Sequence, residues 1–362
     1  MAPGSIRLGT YAGIPVRAHW SMAMIAVWFG VLLSADFGAL GGIAATIAFF
    51  ASILAHEFGH AMVARRYGVQ TQSIDLWALG GVARLDRESP SPRADGLIAV
   101  AGPAVSLLLG VVAFGAGIAL QSAVLGWIGF VNGLLAVFNM LPGAPLDGGR
   151  VLRAVRWSMT GSRYRAMRDA GNAGRVLGWG LVGLGLVLLL DGRIAVFGVF
   201  TMFTGLFIAL NARAEIMTSY VAEQLDGVKV RDLTFFGIAQ AGADMDTDSM
   251  IDQRQRLGAA GAVAVVGDDG ELDGLVLEDQ LWAVPSERRP LTMLTQLMVP
   301  FANLTKASLD DDLSAVLARL DPLRPVVTVW DAGKLLGIVH PKRLEERLKQ
   351  AQRQAFPSAA GV

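Results

Sequence analysis

The feature that most restricts this chain is a series of long, uncharged apolar runs confined to its first 213 residues. A helix needs roughly 20 apolar residues to cross a hydrocarbon core of ~30 Å. Six candidates follow one another at about 19–35, 40–64, 96–120, 123–145, 174–190 and 194–212. After residue 213 the sequence turns polar. The predicted organisation is a polytopic α-helical membrane part over 1–213, a linker over 214–220, a soluble α/β part over 221–352 and a disordered tail over 353–362.

Charge follows the same division. Residues 1–213 carry 16 Arg, no Lys and 9 acidic residues, whereas 214–362 carry 15 Lys or Arg and 22 acidic residues. The near-zero total is thus the sum of a basic membrane part and an acidic soluble part, and the acidity of the second part argues against nucleic acid as its partner. There is no Cys, so disulfides and thiolate-bound metals are excluded. When the Arg residues are assigned to alternating sides of six spans, 15 fall on one side and only Arg193 on the other. The positive-inside rule then places both termini in the cytosol of a multi-pass cell-membrane protein. The Arg-rich membrane half points to a bacterial chain.

Within the apolar runs, ionisable residues are few, and each is expensive enough in lipid to imply a function. In Ile53-Leu54-Ala55-His56-Glu57-Phe58-Gly59-His60 the two histidines are four residues apart. At about 100° per residue they share one helix face, one turn apart, and can grip one metal ion. Glu57 projects beside them. Catalytic zinc takes three protein ligands, and the remaining candidates are His19, Asp36, Asp191 and Asp147. Asp147 is the best placed, because Pro142, Gly143, Pro145, Gly148 and Gly149 break the helix around it, and non-helical backbone at membrane depth lines a cavity or is buried in protein. The alternative is that Asp147-Gly148-Gly149 is a helix-ending turn at the membrane surface.

The His56-Glu57-Phe58-Gly59-His60 helix, followed by Asn139-x-x-Pro142-x-x-Pro145-x-Asp147-Gly148, resembles the site-2 protease family. The resemblance extends to Gly13-Ile14-Pro15-Val16, His19-Trp20, Leu79-Gly80-Gly81-Val82-Ala83 and Ala101-Gly102-Pro103-Ala104, and covers about residues 8–213. It implies a zinc metalloprotease that cuts transmembrane segments of membrane-tethered regulators. His56, His60 and Asp147 would hold zinc, Glu57 would be the general base, and Asn139 would help to stabilise the oxyanion. The substrate is then a membrane protein, and the working environment is the lipid bilayer. His19 is expected only to anchor its helix at the interface, and Asn132 to pack.

Two further patterns stand outside the metal motif. Residues 70–77 alternate polar and apolar side chains before Gly80-Gly81 and Val82-Ala83-Arg84-Leu85, which predicts a small β-hairpin; its strand could hold an extended substrate by β-augmentation or simply pack on the protein. Beyond 214 a strand–turn–strand grammar recurs: 262–266, Asp268-Asp269-Gly270 and 274–277, then 326–330, Asp331-Ala332-Gly333 and 337–339. This repetition resembles a tandem pair of cystathionine-β-synthase (CBS) domains, which implies a regulatory or homodimerising role. Family members that bind adenosine nucleotides use a Thr or Ser and an Asp after the second-strand glycine. Here those positions are Leu277 and Gln280, then His340 and Arg343, with Asp279 one residue out of register, so adenosine nucleotide is not an expected ligand. A CBS-regulated transporter or channel, the alternative architecture, would repeat ion-coordinating broken helices, and no such repeat is present.

Overall fold

The computed structural model describes residues 4–78, 80–190, 194–257, 261–321 and 323–355. It divides into two compact units, Met1–Ser219 and Tyr220–Val362. Leu79, Asp191, Arg193 and the tail from residue 356 lie outside the described residues.

The first unit opens with β1 (Ser5–Tyr11) and β2 (Ile14–His19) and then runs into α1 (Trp20–Arg66). An unbroken helix of 47 residues would span about 70 Å, twice a bilayer. Gly38 interrupts it with φ 72° and ψ 166°, a left-handed backbone that glycine adopts without steric cost. The two arms on either side of Gly38 correspond to the first two predicted spans. β3 (Thr71–Trp77) and β4 (Gly80–Leu85) follow, then α2 (Pro92–Ala119), α3 (Ala123–Asn139), α4 (Asp147–Thr160), α5 (Arg163–Leu189) and α6 (Ala195–Leu225). Ser91, Ser122 and Ser162 cap α2, α3 and α5 by accepting a backbone N–H of the first turn, and Gly161 closes α4 at φ 67°.

Among the described residues four helices, α1, α2, α5 and α6, are long and apolar enough to cross a membrane, and α3 is a shorter apolar helix. Their outward side chains are apolar and bare: Leu40 is 85% and Val196 82% exposed. Only lipid makes such a surface favourable, and the protein is a multi-pass membrane protein. Contacts between helices use small residues, as expected where lipid removes the hydrophobic drive to associate. A Cβ on Gly117 would lie 2.6 Å from Gly126 N, and one on Gly185 would lie 2.6 Å from Met202 N, so α2 meets α3 and α5 meets α6 almost backbone to backbone.

Four features differ from the sequence expectation. α3 ends at Asn139 rather than at 145, because Pro142 and Pro145 cannot continue it. The expected two-stranded hairpin is half of a four-stranded sheet in the order β1-β2-β3-β4, with β2 parallel to β3 and the other pairs antiparallel. Ile14, Val16, Ile74 and Leu76 point from this sheet onto Phe50 and Ile53 of α1, which lays the sheet beside the histidine motif. Residues 214–220 are not a separate linker: α6 continues through them to Leu225. Likewise the last described helix of the chain, Pro341–Ala355, takes in residues 353–355.

The second unit repeats one motif twice. After β5 (Thr234–Phe235) come β6 (Ile238–Gly242), α7 (Thr247–Leu257), β7 (Ala262–Val266), β8 (Leu272–Leu277), α8 (Glu278–Ala283), α9 (Leu294–Leu297) and β9 (Val299–Pro300). The second passage is β10 (Thr305–Ala307), α10 (Leu313–Ala318), β11 (Val327–Asp331), β12 (Lys334–Val339) and α11 (Pro341–Ala355). Each passage is a parallel crossover followed by a hairpin, and the sheets run β6-β7-β8-β9 and β10-β11-β12-β5. Gly270 and Gly333 make the hairpin turns at φ 81° and 80°. Ala264, Leu275, Val326 and Ile338 form one core between the sheets. This is the paired α/β arrangement that the CBS resemblance implies.

The positions expected to lack nucleotide ligands are engaged internally. Gln280 Oε1 accepts the Leu277 N–H at 2.9 Å, and the Arg343 guanidinium lies 5.5 Å from the centre of the Phe235 ring. Asp279 pairs with Lys342 at 2.9 Å and holds that ammonium above its ordinary pKa.

Candidate metal centre

The second arm of α1 carries His56 and His60 on one face, one turn apart, and both rings are buried. The rings meet edge to face with centroids 4.9 Å apart, and their Nε2 atoms approach to 3.2 Å. Asp147 arrives from elsewhere in the chain. The loop after α3 is anchored on α5 by the Ala144 N–H, which donates to Ala170 O at 3.1 Å. Asp147 is then the first residue of α4, where a carboxylate suits the positive end of the helix dipole. It begins a helix rather than ending one. Its Oδ2 lies 3.2 Å from both His56 Nε2 and His60 Nε2.

The outer partners on α2 decide what these atoms can do. His60 Nδ1 is 2.7 Å from the carbonyl oxygen of Ile98, which can only accept, so Nδ1 carries the proton and, in the neutral ring, Nε2 presents a lone pair. His56 Nδ1 is 2.9 Å from Ser106 Oγ and can be oriented in the same way. Two lone pairs and a carboxylate oxygen packed into a 3.2 Å triangle repel one another unless a cation sits among them. The triangle fits zinc: bonds of about 2.0–2.1 Å at tetrahedral angles put ligand atoms about 3.3 Å apart. His56, His60 and Asp147 are accordingly a group that can hold one metal ion. Hydrogen bonds from ligating imidazoles to a carbonyl and a hydroxyl are the usual outer shell of such a site.

Gly102 makes the helix approach possible. A Cβ there would lie 2.6 Å from His56 Nε2 and would overlap His60, so α2 can carry no side chain at the point where it crosses the ligands. Glu57 faces the sheet. Its Oε2 accepts the Ala83 N–H of β4 at 3.2 Å, and a Cβ on Gly81 would lie 2.6 Å from Glu57 Cγ. All four groups border one cavity of about 550 Å³. Its polar lining is made by His56, Glu57, His60, Asp147, Asn139 and Arg150, among others, and its apolar walls include Ile25, Trp28, Phe29 and Phe49.

The remaining sequence candidates sort clearly. Asn139 lines the cavity and spends one amide N–H on Leu135 O at 3.0 Å. Asn132 is fully buried away from the ligands and donates to Ile128 O. His19 caps α1, accepting from Ser21 N. The sequence reading had no means of finding Ser106 or the Ile98 carbonyl, although Gly102 marked the crossing that brings them in. It also missed a buried ion cluster behind Asp147. Asp95 of α2, 1% exposed, is gripped by Arg153 of α4 through bonds of 2.7 and 2.8 Å and receives a third from Ser89 at 3.0 Å. That cluster fixes α4 against α2, and so fixes the helix that starts with Asp147.

Comparison with known proteins agrees with this chemistry. The model of Peptidase family M50 matches residues 44–123 and 119–177, a stretch that contains every proposed ligand. Across 98% of its length the chain is 37% identical to "Putative zinc metalloprotease Rip3" of Mycobacterium tuberculosis, 95% of which is covered. Among solved structures, the site-2 protease from Methanocaldococcus jannaschii shares 30% identity over 59% of this chain and 95% of that one, with a TM-score of 0.43. The CBS domain of a bacterial CNNM/CorC family Mg2+ transporter matches 44% of this chain and 94% of its own at 15% identity, with a TM-score of 0.29.

Proposed function

The chain belongs to peptidase family M50 and is an intramembrane zinc metalloprotease, and we propose that it cuts membrane-tethered regulatory proteins within or near their transmembrane segments. The observation that carries the reading is the joining of a His-His-Asp triangle and a half-buried glutamate in the lining of one largely apolar cavity.

In this reading His56, His60 and Asp147 hold zinc. Zinc, when bound, polarises a scissile carbonyl and acidifies water to a pKa of about 7. The chain's own groups do the rest. Ser106 and the Ile98 carbonyl keep both imidazoles aimed; Glu57 takes the proton of the attacking water on its carboxylate and delivers it to the leaving amine. Asn139 donates its second amide N–H to the developing oxyanion. β4 is the edge strand of its sheet and borders the cavity beside Glu57, so an extended substrate can add to it as a further strand. Substrate trapping tests the reading: purified Glu57→Gln protein should retain a transmembrane protein that the wild type cleaves. Recovery of the same partners, uncut, by wild type would refute it.

Orientation belongs to the proposal as well. We place both termini and the metal-proximal ends of the helices in the cytosol, because 15 of the 16 Arg of residues 1–213 fall on one side. The chain has no native Cys, so single Cys substitutions at Ser5 and Ser122 can be labelled from each side separately. Ser5→Cys should react from the cytosol and Ser122→Cys from outside; the reverse pattern overturns the model.

The paired repeats are read as a CBS module that modulates cleavage or dimerises the protease. Deleting residues 221–362 should leave zinc stoichiometry intact, since every ligand precedes residue 150, and should change the cleavage rate or the oligomeric state. ATP or AMP should leave the rate of the full chain unchanged, because Gln280 and Arg343 are occupied with contacts of their own. Loss of zinc on truncation, or a rate that responds to micromolar nucleotide, would each contradict this.

A further inference from the structure

Arg150 is the one Arg or Lys that lines the metal-centre cavity among the described residues, and it has no catalytic task in the mechanism above. It stands three residues after Asp147 on α4, so the two side chains leave the same helix face, their Cβ atoms about 5–6 Å apart. Its link to the ion cluster is long: Nη2 is 3.6 Å from Asp95 Oδ1, beyond hydrogen-bond distance. Asp95 is already held by three shorter bonds. Oδ1 already accepts from Ser89 and from Arg153 Nη2, and Oδ2 from Arg153 Nε. Arg150 therefore keeps most of its five donors, while Asp95 and Glu215, the latter 3.6 Å from Arg153, stand as carboxylates behind the two guanidiniums.

The cavity offers Arg150 no other counter-ion. Its two carboxylates, Glu57 and Asp147, together balance the charge of one zinc ion, so the unfilled donors of the guanidinium border largely apolar walls. A guanidinium that is 26% exposed and keeps free donors favours an anion brought by the substrate. The geometry points to Arg150 as a specificity-determining residue: it binds the carboxylate of an Asp or Glu side chain in the substrate, on the side of the scissile bond that faces the Asp95 cluster. An extended chain rises ~3.3 Å per residue, so the Cβ spacing of positions 147 and 150 places that acidic residue within about three residues of the bond cut.

The inference rests on the proteolytic reading, and its test separates the two. Full-length protein is reconstituted in phosphatidylcholine vesicles, so that no lipid anion competes, and is offered transmembrane peptides with Glu or Gln at each of the three positions on either side of the cleaved bond. In the wild type one position, on one side only, should show kcat/KM about tenfold higher for Glu than for Gln, the scale of a charge-assisted hydrogen bond. In Arg150→Gln that ratio should fall to about one, and in Arg150→Glu a Lys peptide should become preferred over a Glu peptide. Each comparison is a ratio within one protein preparation, so partial misfolding of a variant cancels. Should a variant cleave nothing, retention of the same peptides by Glu57→Gln and by Glu57→Gln/Arg150→Gln supplies the ratio without turnover. An acidic preference absent from the wild type, or unchanged when Arg150 is replaced, overturns the assignment. A wild type that binds Glu peptides selectively yet cuts none would leave the assignment standing and remove the protease.

Discussion

Asp147→Ala should empty the metal centre and abolish peptide hydrolysis. Asp147 contributes the one anionic ligand of the three, and without it two neutral imidazoles 3.2 Å apart face an ion with no charge to offset. The loss must exceed the ~10–100-fold in metal affinity that follows when only an outer partner is removed. Ser106→Ala sets that smaller scale in the same molecule: His56 loses the acceptor of its Nδ1–H but keeps its ligand atom, so affinity should fall about 10–100-fold while zinc still binds at saturating metal. Asp147→Asn separates shape from charge, because it keeps the side chain's size and lacks the carboxylate. Metal content of purified protein and a zinc titration decide the matter. Wild-type zinc occupancy in Asp147→Ala would mean that the third ligand lies elsewhere, and the mechanism would lose its centre.

How much of this could be read from sequence depends on how local each determinant is. The histidine pair was legible because helical periodicity alone places residues 56 and 60 on one face. Asp147 was legible as a candidate because Pro142, Pro145 and the adjacent glycines forbid a continuous helix, although whether it began or ended one was not. The partners on α2 were out of reach: which of its residues faces His56 depends on how closely α1 and α2 approach, and that is fixed by the missing side chain of Gly102. β1 and β2 were missed because most of β1 is exposed and because β2 pairs with β3 across the whole of α1. The expected linker is helical for a packing reason. No Gly or Pro interrupts residues 214–225, and Ile216 is buried against Gly171 of α5, so helix formation carries on. In the soluble half, by contrast, runs of β-branched residues on either side of an Asp/Gly turn announce a hairpin with little tertiary help, and both hairpins stand where expected.

Glu57→Gln should keep its zinc and lose about 10²–10⁴-fold in kcat, the range that a positioned general base supplies. The amide can take the place of the carboxylate in the hydrogen bond from the Ala83 N–H, and its volume suits the narrow gap left by Gly81, so the side chain should stay where it is. What it cannot do is accept a proton from water, and a fall in rate at unchanged zinc content therefore measures proton transfer alone. Asn139→Ala, assayed in parallel, should lower kcat by about 10²–10³ with little change in KM, because its donor is useful only when charge develops on the carbonyl oxygen. The two variants separate proton transfer from charge stabilisation at one centre. If Glu57→Gln retained more than about a tenth of the wild-type rate, the proton would be leaving by another group. The other ionisable groups that line the cavity are then the ligand Asp147, the two imidazoles, which are held by the metal, and Arg150, whose guanidinium does not deprotonate in proteins. None of these is a free base, so the lost step has no substitute within the site, and the large effect follows from the composition of the cavity as much as from Glu57 itself.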